Sequence, residues 1–402
     1  MAEPLSQVDV AVVGAGIVGL ATARAILLAQ NGLTVVVLEK SFTLAAHQSG
    51  HNSGVIHAGV YYRPGSDKAR LSTAGRLSML RYCQEKEIAH RVCGKVVVAV
   101  DATESPALHR LHDRCVANGV TATLIGSAQL AEIEPNAAGV EALHVPGTAV
   151  VDYRQVCLAL ADDVTALGGR IHLDVAVTAG STNGAAVYLE TTTGPLVAKR
   201  VVTCAGLQAD QVARAVSGPD GDAGLRIIGF RGEYHQLPAV RASLVQALIY
   251  PVPNERFPFL GVHLTRGIDG QVHAGPNAIL ALAREGYGWR QVEFGYLRNL
   301  LGYAGFRRMI AEHWRYGVTE MARALSRRRC AAALRRLVPE ITTADLQPSA
   351  GGVRAQAVAS NGRLVDDFVF HRVGRAVHVL NAPSPAATAA LEIGQRVAAS
   401  VS

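Results

Sequence analysis

The sequence predicts an α/β fold in which a nucleotide-binding βαβ unit is combined with an α+β part built on a mostly antiparallel sheet. Three observations predict it. An apolar, β-branched run near the N-terminus leads directly into closely spaced glycines and then into a stretch of helical composition. Between residues 226 and 274 several strand-like runs are separated by turns, without regular βα alternation. The chain has 402 residues, 49% hydrophobic and 18% charged, which is enough for about two or three domains with a substantial core. This composition excludes a disordered or low-complexity chain.

Residues 8–13 read as a short buried parallel strand. Gly14-Ala15-Gly16-Ile17-Val18-Gly19 follows, then helical composition over 20–30 and a stop at Asn31-Gly32. Residues 34–38 form a second buried strand that ends at Glu39. The spacing is that of a Rossmann-like dinucleotide fingerprint, with an acidic residue about twenty positions after the last glycine. Gly14 permits the tight turn, Gly16 lets backbone amides approach a pyrophosphate, and Gly19 lets the helix pack on the strand. Ile17 and Val18 stand at the positive end of the helix, which attracts phosphates. Glu39, with Lys40 beside it, is placed to meet a ribose; a carboxylate there argues against a 2′-phosphate but does not separate FAD from NAD.

Farther on, residues 95–100 read as a strand, 105–118 as a helix, 143–151 as extended, and 153–167 as a helix closed by Gly168-Gly169. Residues 171–177, 186–191 and 201–204 read as strands. The first of these ends at Val177, and the last leads through Gly206 and Leu207 into a second strand-to-helix turn near the nucleotide. Residues 280–337 read as helical and Arg-rich, Asn361-Gly362 as a turn, and 383–399 as a closing helix that opens with Pro and Ser.

The net charge of +7 and pI near 9.2 raise the question of nucleic acid or an anionic membrane. No zinc finger, helix-turn-helix signature or RNP-like strand accompanies the charge, so nucleic acid is not an expected partner. Residues 284–336 hold twelve Arg and four Glu with no Lys or Asp, a local charge of +8 that leaves the remainder at −1. The basic character is therefore one region, interleaved with aromatics, that suits peripheral docking on an anionic bilayer. The six cysteines form no C-x-x-C and no Cys/His cluster with zinc spacing, so neither a disulfide framework nor a metal is expected. The first apolar run lacks a basic n-region and a cleavage site, and no stretch suits a bilayer span. The expected location is the cytoplasm, including the inner face of the membrane.

Residues 47–62 read H-Q-S-G-H-N-S-G-V-I-H-A-G-V-Y-Y, a polar loop that can lay small side chains and backbone amides along an extended ligand. Together with the glycine unit, this loop resembles FAD oxidoreductases of the D-amino-acid oxidase and glycerol-phosphate dehydrogenase superfamily, and within them the L-2-hydroxyglutarate dehydrogenase/oxidase family. Matching segments recur at 230–234, 258–265, 274–278, 284–287, 352–357 and 381–388. The resemblance implies a discontinuous FAD-binding domain (1–90, 151–225 and 346–402). It implies an interleaved substrate domain (91–150 and 226–345) that includes the basic helical region 280–337. It further implies non-covalent FAD, a dicarboxylate substrate, and quinone or oxygen as electron acceptor. Another 2-hydroxy acid, an amino acid or glycerol phosphate is the alternative substrate.

Oxidation of a 2-hydroxy acid needs a base for the hydroxyl proton, a cation for the carboxylate, and a C–H directed at the flavin. Arg354, in Gly352-Val353-Arg354, offers a bidentate fork to a carboxylate. His57 and His263 compete as the base, since imidazole titrates near neutrality. Tyr61, Tyr234 and Tyr250 are candidate pocket hydroxyls, and Arg231 or Asn277 candidates for a second carboxylate. Ser49, His51, Asn52 and Ser53 belong to the cofactor loop. Ser384, at the expected start of the last helix, is placed to offer backbone amides to the flavin, with Pro383 and Ala386 beside it as further cofactor contacts.

Overall fold

The structure is a computed structural model that describes residues 5–253 and 261–401. The opening strand Leu5–Val13 pairs in parallel with Val35–Leu38 on one side and with Gly194–Thr203 on the other. Arg170–His172 extends this sheet beside Val35–Leu38, and Ala376–Asn381 extends it beside the end of Gly194–Thr203, both in parallel. Val187–Thr191, Val177–Thr182 and Val369–Val373 complete an eight-stranded sheet by antiparallel pairing.

Residues 10–13 and 35–38 are apolar at every position because both faces are covered. Val10, Val12, Val35 and Val37 meet the first helix Ile17–Ala29, the helix Tyr153–Ala166 and the last helix Ala390–Val401. Ala11, Val13, Val36 and Leu38 pack on the other side against Leu189, Leu196 and Val216.

A nine-stranded sheet is organised around a long antiparallel pair, Arg226–Gln236 with Gln347–Val358. Val272–Gly275, His263–Arg266, Leu248–Pro251, Lys95–Ala99, Glu141–Val145 and Thr123–Gly126 follow in that order. Alternation along the strands sorts side chains to two faces. Val96, Val98, Ile249 and Leu264 pack on Cys330, Ala331 and Leu334 of the helix Arg327–Arg335. Val97, Ala99, Leu248 and Tyr250 pack on Leu108, Leu111 and Cys115 of the helix Ser105–Ala117. A small sheet of Val55–Ile56, Ala149–Val151 and His90–Val92 is hydrogen-bonded to neither but packs on both, with Ile56, Ala149 and Val151 in the first core and Val55 and Val150 in the second.

Several expectations from the sequence need correction. The strand Gln347–Val358, expected with the nucleotide-binding segments, belongs to the antiparallel sheet because Arg226–Gln236 offers it a partner along its length. Residues 171–177 are not one strand; Arg170–His172 ends at a turn with Asp174 at φ 58°, and Val177–Thr182 begins a separate hairpin. Residues 143–151 break at Pro146-Gly147 into strands of two different sheets. The stretch 280–337 is helical only over Phe294–Gly302, Ala304–Ala324 and Arg327–Arg335, since Gly286 and Gly288 disfavour helix before them. The last helix spans Ala390–Val401, so Ser384 lies ahead of it in a run of turns where Pro383 and Pro385 supply no amide hydrogen. The matching positions 258–260 lie outside the described residues. Among the described residues, no helix is long and apolar enough to cross a membrane.

Candidate active site

A cavity runs past the carboxyl ends of the parallel strands, where Val13, Leu38 and Cys204 stand on its wall. Gly14 turns the chain there at φ +104°, and a Cβ on it would lie 2.5 Å from the Cys204 carbonyl oxygen. The expected packing role of Gly19 is explicit: a Cβ there would come within 1.8 Å of the Gly14 carbonyl oxygen. Gly19 itself is not on the cavity wall, whereas Gly14, Gly16, Ile17 and Val18 are. The Ile17 amide donates to Ser49 Oγ at 3.0 Å, so the polar loop caps the helix end that faces the cavity.

Glu39 is buried on the wall and accepts from the Ala15 amide at 2.8 Å and the Ser41 amide at 3.0 Å. Its carboxylate thus braces the glycine turn, and with about four lone-pair sites it keeps capacity for ribose hydroxyls. Lys40 is committed to an ion pair with Glu285, whose Oε1 also accepts from Gln208 Nε2 at 2.9 Å. Glu285 was not among the expected site residues; it comes from the loop 281–293, which reaches the nucleotide wall. The neighbouring Arg284 anchors that loop through Asp210 at 2.6 Å and the Leu207 carbonyl at 2.8 Å.

Asn52 folds its own loop, donating to the Ser49 carbonyl at 2.8 Å and accepting from the Gly54 amide at 2.8 Å. The His51 ring packs against Tyr287 with centroids 4.6 Å apart. Ser53, Val177, Gly206, Leu207, Pro383, Ser384 and Ala386 also line the cavity.

The polar loop and the strand carrying Arg354 are joined at close quarters. The Ala355 amide donates to Gln48 Oε1 at 2.9 Å, and a Cβ on Gly352 would meet the His51 carbonyl oxygen at 2.6 Å. Glycine before Arg354 therefore permits the contact that sets Arg354 beside the loop containing His57. Both residues line the same cavity with Tyr234. Arg354 is half-buried, and its guanidinium has no hydrogen bond or ion pair among the described residues.

Thr388, another residue not anticipated, fixes His57 from the far segment: its Oγ1 accepts from the His57 amide at 3.1 Å and bonds Tyr153 Oη at 3.1 Å. Burial, with the positive charges of Lys95 and Arg354, holds the His57 imidazole down to about 3, so it is neutral with a free lone pair.

His263, Tyr61 and Tyr250 are not on the cavity wall but form an adjoining buried layer. His263 faces away from Val262 and Leu264, as the alternation implied, and stacks on Tyr250 with centroids 3.8 Å apart. Its Nδ1 lies 2.8 Å from the Gly261 carbonyl oxygen, and burial lowers its pKa to about 3.

The residues expected to take a second carboxylate do not line the cavity. Arg231 is paired with Glu233 at 2.6 Å and capped by Trp289 at 4.1 Å, while Asn277 Oδ1 accepts from the Glu233 amide at 2.8 Å. The layer instead contains Lys95, unanticipated from the sequence, only 2% exposed. A lone lysine at the start of an apolar strand carries no motif that would have marked it.

This fold and cavity define a flavin-type dinucleotide oxidoreductase. The family model of FAD dependent oxidoreductases matches residues 9–400. The chain is 43% identical to an L-2-hydroxyglutarate dehydrogenase of Indibacter alkaliphilus over 97% of both chains. It is 41% identical to another from Salmonella houtenae, over 98% of this chain and 93% of that one. L-α-glycerophosphate oxidase from Mycoplasma pneumoniae, solved with FAD bound, superposes with a TM-score of 0.80 at 21% identity, over 99% of this chain and 95% of that one. The chain belongs to the L-2-hydroxyglutarate dehydrogenase family of FAD-dependent oxidoreductases. It is an enzyme, and FAD is its cofactor.

Proposed function

We propose that the enzyme oxidises the CH–OH group of L-2-hydroxyglutarate to give 2-oxoglutarate. The observation that carries this reading is the Arg354 guanidinium, unpaired among the described residues, on the same wall as the neutral His57 imidazole. Arg354 holds the C1 carboxylate through paired N–H donors, which fixes the C2 hydrogen in one orientation. His57 takes the hydroxyl proton as C2 loses hydride, and the two electrons leave with that hydride. Bound FAD supplies the hydride acceptor. A carboxylate on Arg354 also cancels one of the charges that hold His57 down, so substrate binding strengthens the base. His263, with its Nδ1 at a carbonyl and its ring behind the wall, supports the site instead of taking the proton.

The glycine turn, Glu39 and the 47–57 loop hold FAD without a covalent bond. The segments of the eight-stranded sheet serve the cofactor, while Tyr234, Gly352 and Arg354 of the nine-stranded sheet serve the substrate. We propose a membrane quinone as acceptor. The supporting observation is an exposed face of Ile310, Trp314 and Val318 at four-residue intervals on Ala304–Ala324, with exposed Arg307, Arg308 and Arg315 alongside. The test is anaerobic bleaching of the bound flavin by L-2-hydroxyglutarate, set against a D-amino acid and glycerol phosphate. Bleaching by either competitor alone overturns the reading.

A further inference from the structure

Lys95 is the first residue of Lys95–Ala99 and shares a face with Val97 and Ala99. It is buried at 2% exposure, and its ammonium has no hydrogen bond or carboxylate partner among the described residues. Nζ lies 4.4 Å from the ring centre of Tyr61 and 5.0 Å from that of Tyr250. Tyr61 Oη is itself buried without a hydrogen-bond partner among the described residues. Two orphan donors thus sit together in one layer. An unpaired buried cation is expensive, and aromatic faces offset only part of that cost.

The position of this layer relates it to the reaction. Lys95 and Arg354 both act electrostatically on His57 and on His263, so the buried layer and the imidazole on the cavity wall share one field. Arg354 accounts for one carboxylate. Arg231 is ion-paired with Glu233, and Asn277 Oδ1 accepts from the Glu233 amide.

We propose that Lys95, with the Tyr61 hydroxyl, receives the second carboxylate of a dicarboxylic 2-hydroxy acid and is the residue that selects such substrates over monocarboxylic ones. This rests on the oxidation proposed above. The anion supplies the missing counter-charge and acceptors for both orphans. Its charge also relieves His57 of a second cation, so recognition of the far end of the substrate is coupled to the basicity of the near end.

The test compares kcat/KM for L-2-hydroxyglutarate and L-2-hydroxypentanoate, which replaces the distal carboxylate by a methyl group. In Lys95→Met the preference for the dicarboxylate falls by at least about tenfold, equivalent to about 1.4 kcal/mol, and the change lies in KM for the dicarboxylate. The unmodified enzyme gives a second reading that needs no variant. Burial brings Lys95 down to about 7, while the same burial keeps His57 and His263 near 3, raises Cys115 to about 11, and raises Tyr61 and Tyr250 further. Lys95 is the group of this set that changes charge near neutrality. The preference therefore falls as pH rises through about 7. A preference that is flat with pH and unchanged in Lys95→Met overturns the assignment of Lys95. If L-2-hydroxyglutarate does not reduce the flavin at all, the oxidation reading and the Lys95 assignment are overturned together.

Discussion

Arg354 and His57 show what a single residue can reveal before it is placed. Arg354 could be proposed from the sequence because a guanidinium two residues after glycine, in an apolar segment, is an uncommon combination with a plain chemical use. The structure supplies the reason for the glycine, which is the close approach of the His51 backbone to Gly352. Replacing Arg354 by Lys keeps the charge but loses the paired donors. Steady-state kinetics are expected to show a loss of about 10- to 100-fold in kcat/KM, from one charge-assisted bond of about 1.5–3 kcal/mol. Retention of full kcat/KM would place the carboxylate elsewhere. Lys95, Glu285 and Thr388 were not legible, because their meaning lies in partners far away in the chain. Thr388 meets His57, and Glu285 meets Lys40, only after the sheets have formed.

At the scale of elements, the opening βαβ unit was readable nearly to its ends because its strand, turn, helix and acid are contiguous. Failures came where local composition is silent about pairing. Nothing within 347–358 announces which sheet it joins; that is decided by Arg226–Gln236, more than a hundred residues earlier. The closing helix was placed too early because proline fits a first helical turn equally well as a preceding turn. The Arg-rich stretch was read as helical throughout and holds three separate helices, and apolar side chains along it are exposed: Phe294 by 82%, Trp314 by 54% and Leu325 by 68%. Vesicles containing acidic lipid are expected to sediment the enzyme at low ionic strength, and salt to release it. Replacement of Arg307, Arg308 and Arg315 by Gln should weaken sedimentation and leave flavin reduction intact. Equal sedimentation with neutral vesicles would count against the electrostatic part of the proposal.

Across the whole molecule, two sheets meet at one cavity and bury several histidines in neutral form. His378 bridges Thr203 at 2.9 Å and Ser217 at 2.8 Å, and burial lowers it to about 4, while His57 and His263 lie near 3. Each folded-state value lies below the ordinary value of about 6.5, so the unfolded chain binds more protons as pH falls. Their contribution to stability is complete above about pH 6.5 and is lost as pH drops towards 4 and then 3. Thermal unfolding is expected to show Tm declining through this window, and His378→Gln should flatten the upper part of the decline. A Tm independent of pH between neutrality and about 4 would contradict the neutral burial of these rings.

The central claim is that this cavity oxidises a dicarboxylic 2-hydroxy acid on FAD, and mixing the oxidised enzyme with L-2-hydroxyglutarate in the absence of oxygen tests it most directly. The account predicts loss of the yellow flavin absorbance with one 2-oxoglutarate formed per flavin reduced, and little or none of this in Arg354→Ala. A flavin that stays yellow with L-2-hydroxyglutarate, or bleaches without forming 2-oxoglutarate, would contradict it.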